Sequence, residues 1–387
     1  MTEFLFWKDP YLKTFKAKII EIEKNSIILD QTAFYPQSGN QVSDKGYIEK
    51  EKKRYEIENV LKEGEKVYHQ INAKFVDEFK IGDSIIGNIE WQYRYGIMRA
   101  HSSQHLLSAI IKNKFDIDTV HANILFEEVM LQISHEITES QLKECLQELT
   151  QISTIENHKF GTYITSKKEL SKYGANLRGD IPDEDKIRLV EVPGYDLICC
   201  GGTHVKNSTE IGPLFLYEFK KGTDIKYVLG KKALELYSQF NVDLISSSDM
   251  LGIQYSNFFP FIHKQYREYN QLELNYIKVA SNLLDYISNY PSFQIEDCKI
   301  GILEIDLEYR VLQKQFKDFP ENYMLMILRP QNKVIIISNC ENLKANDVLN
   351  DLIQHYGGKG GGSTYSAQGA LDIIPEDIAS LIKALFK

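Results

Sequence analysis

Two short stretches hold residue types that can do chemistry together. In Arg99–Leu107, RAHSSQHLL, His101 and His105 lie four apart in a helix-like run. Side chains at i and i+4 of a helix stand on one face, a turn apart, so two imidazoles placed this way can share one metal ion. Zinc peptidases use the same spacing, with a glutamate directly after the first histidine as general base. Ser102 holds that place here, which weakens a peptidase reading. Of the nine histidines, His69, His121, His135, His158, His263 and His355 have no partner at ligand spacing. The other cluster is CCGGTH, where a Gly-Gly bend separates Cys200 from His204. Cys199 is an alternative ligand, although strand alternation turns it away from the side of Cys200. Either cluster alone has an ordinary explanation: His-x3-His pairs occur on plain helices, and a cysteine is often a small buried hydrophobe. The two together point to one site of His101, His105, Cys200 and His204. Its mixture of thiolate and imidazole favours one Zn2+ over magnesium or calcium.

The elements that must position these residues follow from the apolar pattern. Residues 1–90 alternate in short runs broken by glycine turns, as in FKAKIIEIEKNSIILD and FKIGDSIIGNIEW, and predict a small β-barrel. Over 91–245 the pattern mixes helices with strands. One helix carries both histidines, and a second covers SQLKECLQELTQIST with Ser140 as N-cap. KIRLVEVPGYDLICCGGTHV is a strand and turn opening into the Cys-Gly-Gly loop. Residues 246–292 predict a helical linker, since Ile277, Ala280, Leu284 and Ile287 recur at three- and four-residue steps. Residues 293–387 alternate strands and helices, as a small C-terminal α/β domain does. The fold class is therefore α+β multidomain.

Composition narrows the setting. The 387 residues are 43% hydrophobic with a net charge of −9, and no run of eighteen apolar residues predicts a membrane span. The N-terminus lacks the basic flank and cleavage site of a signal peptide. Five cysteines at irregular spacing argue against a disulfide framework and for a reducing, cytoplasmic location. The acidic balance does not favour nucleic acid, but a local basic stripe suffices for phosphate contact.

RAHSSQHLL and CCGGTHV resemble the paired histidine and cysteine-histidine motifs of the alanyl-tRNA editing domain. LDQTAFYPQSGNQVSDKG (residues 29–46) is similar to a third motif of that family, and TEIGPLFLYEFKKGTDIKYVLGKKALE continues the match. GGKGGGSTYSAQG (residues 357–369) resembles the glycine-rich loop of the DHH-associated domain that ends alanyl-tRNA synthetase. Lys359 precedes three glycines, so the stretch is not a P-loop. The editing-type strands begin within twenty residues of the start, which leaves no room for an aminoacylation domain and resembles the free-standing AlaX proteins in their long form.

The resemblance implies a zinc-dependent hydrolase acting in trans on mischarged tRNA(Ala), with Ser-tRNA(Ala) as main substrate and Gly-tRNA(Ala) as a second candidate. A non-catalytic, zinc-stabilised tRNA-binding protein is the alternative. It further implies that Thr32 contacts the serine hydroxyl. Gln37 stands where the family usually has glutamate, at a catalytic position. For tRNA binding, local basic patches offer Lys226 in a lysine-rich hairpin and Arg310 and Lys314 on one helix face, and the resemblance adds Lys359, Gly360 and Gly361 of the glycine-rich loop. A homodimer through the helical linker or the C-terminal domain is an open assembly.

Overall fold

The computed structural model describes residues 2–170, 172–173, 177–179, 181, 186–375 and 377–385. Two compact units result, Met1–Ser247 and Ser248–Lys387.

The first unit opens on a closed barrel of β1 (Thr14–Glu23), β2 (Ser26–Leu29), β3 (Gly46–Lys50), β4 (Lys53–Glu63), β5 (Lys66–Ile71) and β6 (Ser84–Ile89), in the order β1-β2-β5-β4-β3-β6. Every second residue of β1 points inward, so Phe15, Ala17 and Ile19 join Ile27, Val60, Val67 and Ile85 in one core. That is the period-two pattern expected of a half-buried strand.

The barrel is bolted to α1 (Trp91–Phe115) by a buried ion pair. Arg94 is fully buried and donates from Nε to Asp44 Oδ1 at 2.6 Å, from Nη2 to Asp44 Oδ2, and from Nη1 to Pro10 O at 2.9 Å. Breaking such a pair leaves an uncompensated buried charge, at a cost of about 3–5 kcal/mol. The loop that carries Asp44 is thereby held against the helix that carries both histidines.

α1 is buried on every side from Ala100 to Ile111. It packs on a sheet of β7 (Thr119–Leu125), β8 (Glu128–Ile133), β12 (Leu214–Lys220) and β13 (Asp224–Leu229), ordered β12-β13-β8-β7. On another side lies α2 (Glu139–Thr154). Its cap is Thr138, which forms a capping box with Gln141, not the expected Ser140. Thr138 wins because its hydroxyl accepts from Gln141 N while the Gln141 side chain returns to the Thr138 N–H, satisfying two end groups at once. A three-stranded sheet of β9 (Gly161–Thr165), β10 (Ile187–Val192) and β11 (Asp196–Cys199) delivers the cysteine loop. α3 (Gly230–Met250) follows β13.

The second unit contains α4 (Phe258–Asn289) and a six-stranded sheet built from β14 (Phe293–Ile295), β15 (Cys298–Glu304), β16 (Tyr323–Arg329), β17 (Lys333–Ser338), β18 (Lys359–Gly362) and β19 (Ser366–Ala370), ordered β14-β15-β16-β17-β19-β18. β16 reads YMLMILR because both its faces are covered. Met324 and Met326 meet Val348, Leu349 and Leu352 on one side. Tyr323, Leu325 and Ile327 meet Ala280, Leu284 and Ile287 of α4 on the other. The end of the helix expected as a linker is thus a wall of this unit, because its apolar stripe covers one face of the sheet.

Two further expectations differ from what is found. The glycine-rich stretch is a hairpin, with β18 as the edge strand of the sheet. A Cβ on Gly360 would come within 2.7 Å of Gln368 O, so the close strand contact accounts for that glycine. Cys298 and Cys340 form a disulfide, with Cα atoms 5.9 Å apart. Both flank the start of β16, a neighbourhood set by sheet order and invisible in cysteine spacing. Among the described residues no helix is long and apolar enough to cross a membrane.

Candidate metal centre

His101 and His105 project from one face of α1 toward the loop after β11, where Cys200 and His204 flank Gly201 and Gly202. One ligand atom from each of the four lies within 4.8 Å of every other. Nε2 of His101 is 3.5 Å and Nε2 of His204 is 3.3 Å from Cys200 Sγ. The three imidazoles are at most 3% exposed.

The far sides of the rings face separate protein partners. His101 Nδ1 meets Gln41 Oε1 at 2.7 Å, and the same oxygen accepts from Thr203 N at 3.1 Å. His204 Nδ1 lies 3.3 Å from Ser102 Oγ, which accepts from Val205 N. His105 Nδ1 is 3.4 Å from Asp196 Oδ2, close enough to pair yet without a full hydrogen bond. Asp196 is gripped at 2.8 Å by both Nε and Nη2 of Arg178. Partners of this kind fix ring orientation in metal sites, leaving the opposite nitrogen for the ion.

The loop geometry depends on Gly202, where a Cβ would fall 2.2 Å from His101 Cε1 and 2.7 Å from Gln41 Oε1. Arg188 fastens the same loop, Nη1 donating to Cys200 O and Gly202 O at 2.8 Å each, while its buried Nε and Nη2 find no partner among the described residues. Trp7 Nε1 donates to Gly201 O at 2.9 Å from the other side.

The electrostatics suit a cation. Burial pushes the Cys200 thiol up, but His101, His105 and His204 outweigh it and hold the thiol well below its ordinary value. Burial, together with the neighbouring imidazoles, holds His204 well below its usual range, and burial lowers His101. Burial also opposes the charge on His105, yet Cys200 and Asp196 bring it up to about 8. Asp196 is driven down to about 2 despite its burial, by Arg178 and then His105. A thiolate among three imidazoles whose outer nitrogens face fixed partners fits a zinc ion well.

Beside this cluster is a pocket of about 300 Å³. Its walls come from the Ser38–Asn40 turn, from Thr119 to Ala122 and Ile124 of β7, from Arg178 and Gly179, and from His101, Gln104, His105 and Cys200.

The residues expected from the sequence are distributed unevenly. His101, His105, Cys200 and His204 converge. Cys199 also lines the pocket, while packing on Ile187 and Leu189. Thr32 does not reach the pocket. It is 0% exposed, its hydroxyl meets His69 Nε2 at 2.8 Å, and its oxygen accepts from Phe34 N at 3.1 Å. Gln37 is exposed, with its N–H on Val60 O, and is not part of the pocket wall. The useful residues of that motif are instead Gln41, behind His101, and Asp44, under Arg94. Lys226 pairs with Glu218 at 2.8 Å. In the second unit Arg310 pairs with Glu308 and Glu273, while Lys314 and Lys359 have no ion-pair partner among the described residues. Gly360 and Gly361 lie on the exposed edge strand. Sequence reasoning missed Gln41, Ser102, Gln104, Arg178, Arg188 and Asp196. Only Gln104, one helical turn from His101, left a signal in spacing.

Comparison with known proteins agrees with the layout. Residues 7–93 match the family described as tRNA synthetases class II (A), and residues 187–226 match the Threonyl and Alanyl tRNA synthetase second additional domain. Cys200 and His204 fall inside the second match, and His101 and His105 lie between the two. The chain is 26% identical to the Alanyl-tRNA editing protein AlaX-L of Pyrococcus horikoshii over 396 residues, covering 98% of this chain and 96% of that protein. It is 26% identical to an Alanine--tRNA ligase of Saccharolobus islandicus and 25% identical to that of Methanococcus maripaludis. These matches cover 93% and 99% of this chain but 41% and 43% of the ligases. The chain therefore spans about two-fifths of the ligases' length and nearly all of AlaX-L.

Proposed function

Because the chain is a relative of the alanyl-tRNA editing protein AlaX-L over nearly its whole length, we propose that it hydrolyses the ester of mischarged tRNA(Ala), seryl first and glycyl second. One zinc ion would be held by His101, His105, Cys200 and His204. The observation that carries this reading is the convergence of four ligand atoms, drawn from two distant motifs, at the wall of a pocket sized for an amino acid.

The physical need is clear. Serine differs from alanine by one hydroxyl, and an apolar synthetic pocket rejects an added hydroxyl by only roughly 10²-fold. A second, hydrolytic site that binds that hydroxyl supplies the remaining discrimination. Zinc, when bound, supplies Lewis acidity toward a carbonyl or a water. The chain's own groups do the rest. Gln41, Ser102 and Asp196 orient the histidines, Arg188 and Trp7 brace the cysteine loop, and Ala122 and Ile124 supply the apolar part of the pocket wall. Lys314 and Lys359, without an ion-pair partner among the described residues, are the proposed phosphate contacts, and the proposed location is the cytoplasm. Four protein donors also complete a tetrahedral set, as in structural zinc sites, which favours a second reading as a zinc-stabilised tRNA-binding protein.

Incubating the purified chain with Ser-tRNA(Ala), Gly-tRNA(Ala) and correctly charged Ala-tRNA(Ala) separates the two. Release of serine in preference to alanine supports the deacylase. Tight tRNA binding with no release supports the second reading.

A further inference from the structure

The α1 face that carries the histidine pair carries a third polar side chain. Gln104 is three residues after His101 and one before His105, so it shares their helical face. It is 7% exposed and lines the pocket together with both histidines. One end of its amide is committed, since Nε2 lies 2.9 Å from Ser108 Oγ, which also meets Thr119 Oγ1 at 2.7 Å. The other end, Oε1, has no hydrogen-bond partner among the described residues and is not sealed from the pocket space.

We propose that Gln104 is the specificity-determining residue of this pocket, its free amide end receiving the hydroxyl of a seryl ester; this rests on the deacylase reading above. The pocket wall carries apolar side chains at Ala122, Ile124 and Ile198 beside the polar Asn40, Thr119, His121 and Arg178, and among the polar groups Gln104 is the one on the helical face of the histidine pair. A buried polar group that finds its partner only in the ligand is what rejects ligands lacking that group. The α-ammonium is common to every aminoacyl ester, so a contact to it selects nothing, whereas the hydroxyl distinguishes serine from alanine and glycine. A hydroxyl both donates and accepts. The match therefore holds whichever way the amide is turned on the Ser108–Thr119 pair. Gln104 is also adjacent to the ligand His105, which keeps it within one side chain's reach of an ester held at the cluster. Thr32, which the family resemblance nominates for this task, has its hydroxyl fully engaged elsewhere.

The test uses the full chain and two esters of one shape, seryl-tRNA(Ala) and 2-aminobutyryl-tRNA(Ala), in which a methyl replaces the hydroxyl. The wild type should prefer the seryl ester in kcat/KM by about ten- to a hundred-fold. Gln104→Met, of similar length but without the amide, should bring that ratio to about one, with metal content retained. Ser108→Ala combined with Thr119→Val, which frees the amide to rotate, should lower the ratio part of the way and serves if Gln104→Met does not fold. A wild-type ratio near one, or a ratio that Gln104→Met leaves intact, overturns the assignment. A wild type that releases neither amino acid overturns the deacylase reading itself, and the assignment with it.

Discussion

Thr32→Val decides between two roles for one hydroxyl. The hydrogen-bond ledger at this position is closed. His69 Nδ1 faces Ile27 O at 3.1 Å, so that nitrogen carries the proton and Nε2 is left as an acceptor. The Thr32 hydroxyl donates to Nε2, and its oxygen accepts from Phe34 N. Valine keeps the shape and removes both bonds, leaving a buried ring nitrogen and a buried N–H without partners. Each orphan costs about 1–3 kcal/mol, so the first unit should lose about 2–6 kcal/mol, a large part of the 5–15 kcal/mol typical of a domain. Thr32→Ser keeps both bonds and gives up a single methyl, about 1 kcal/mol. The chain's two tryptophans, Trp7 and Trp91, both lie in the first unit, so fluorescence during urea unfolding reports on that unit alone. Valine should unfold much earlier than serine at this position. If valine matches the wild type in stability while seryl selectivity collapses, the structural account of Thr32 is wrong, and the role implied by the family resemblance stands.

Other outcomes follow from the same geometry. His69 is wholly buried, which lowers its pKa from 6.5 to about 4; the folded state thus binds fewer protons than the unfolded one between those values. Its contribution is intact above pH 6.5 and lost as pH falls toward 4, in total about 3 kcal/mol. Unfolding at pH 7 and pH 5 should show about 2 kcal/mol of this, and His69→Gln should lack it. Elemental analysis should find about one zinc per chain, with Cys200→Ala losing it to a competing chelator that the wild type resists. Unchanged retention would remove Cys200 from the site. For tRNA binding, Lys314→Ala with Lys359→Ala should make the dependence of log K on log salt shallower by about 1–2, whereas Arg310→Ala, already paired twice, should change it less.

The cluster of three histidines and a cysteine was legible because its signal is local. Four-residue spacing on a helix and across a Gly-Gly bend sets geometry within each motif, and only the meeting of the two motifs required tertiary structure. The barrel was legible through strict alternation in β1 and its neighbours. What surrounds the cluster was not. Gln41, Asp196 and Arg188 act through partners 60, 91 and 12 residues away, and no periodicity announces such pairings. Thr32 and Gln37 were nominated by motif membership, which does not say which member of a motif faces solvent, core or ligand. The Ser140 cap failed because a capping box two residues earlier satisfies more end groups. The loop expected of the glycine-rich stretch came from its resemblance to a family motif, and a narrow contact between two strands selects glycine equally well.

Strand order has a consequence for synthesis. The sheet under α1 runs β12-β13-β8-β7, so the strand beside β8 is β13, whose first residue comes 91 positions after β8 ends. Ile225, Tyr227 and Leu229 of that strand belong to the cluster that encloses α1. A ribosome adding about 5–20 residues per second needs about 6–23 s to travel from the end of α1 to the end of β13. For that interval the nascent chain holds a helix whose buried stretch from Ala100 to Ile111 lacks part of its cover, and until residue 204 is made its histidine pair lacks the other two ligands. An ion met before residue 204 is made has two donors instead of four, and until residue 214 the helix has only the β7–β8 hairpin of its sheet. Stalling the ribosome before residue 224 should therefore leave this segment in the hands of chaperones, while release beyond residue 230 lets helix, sheet and ligand set close in one step.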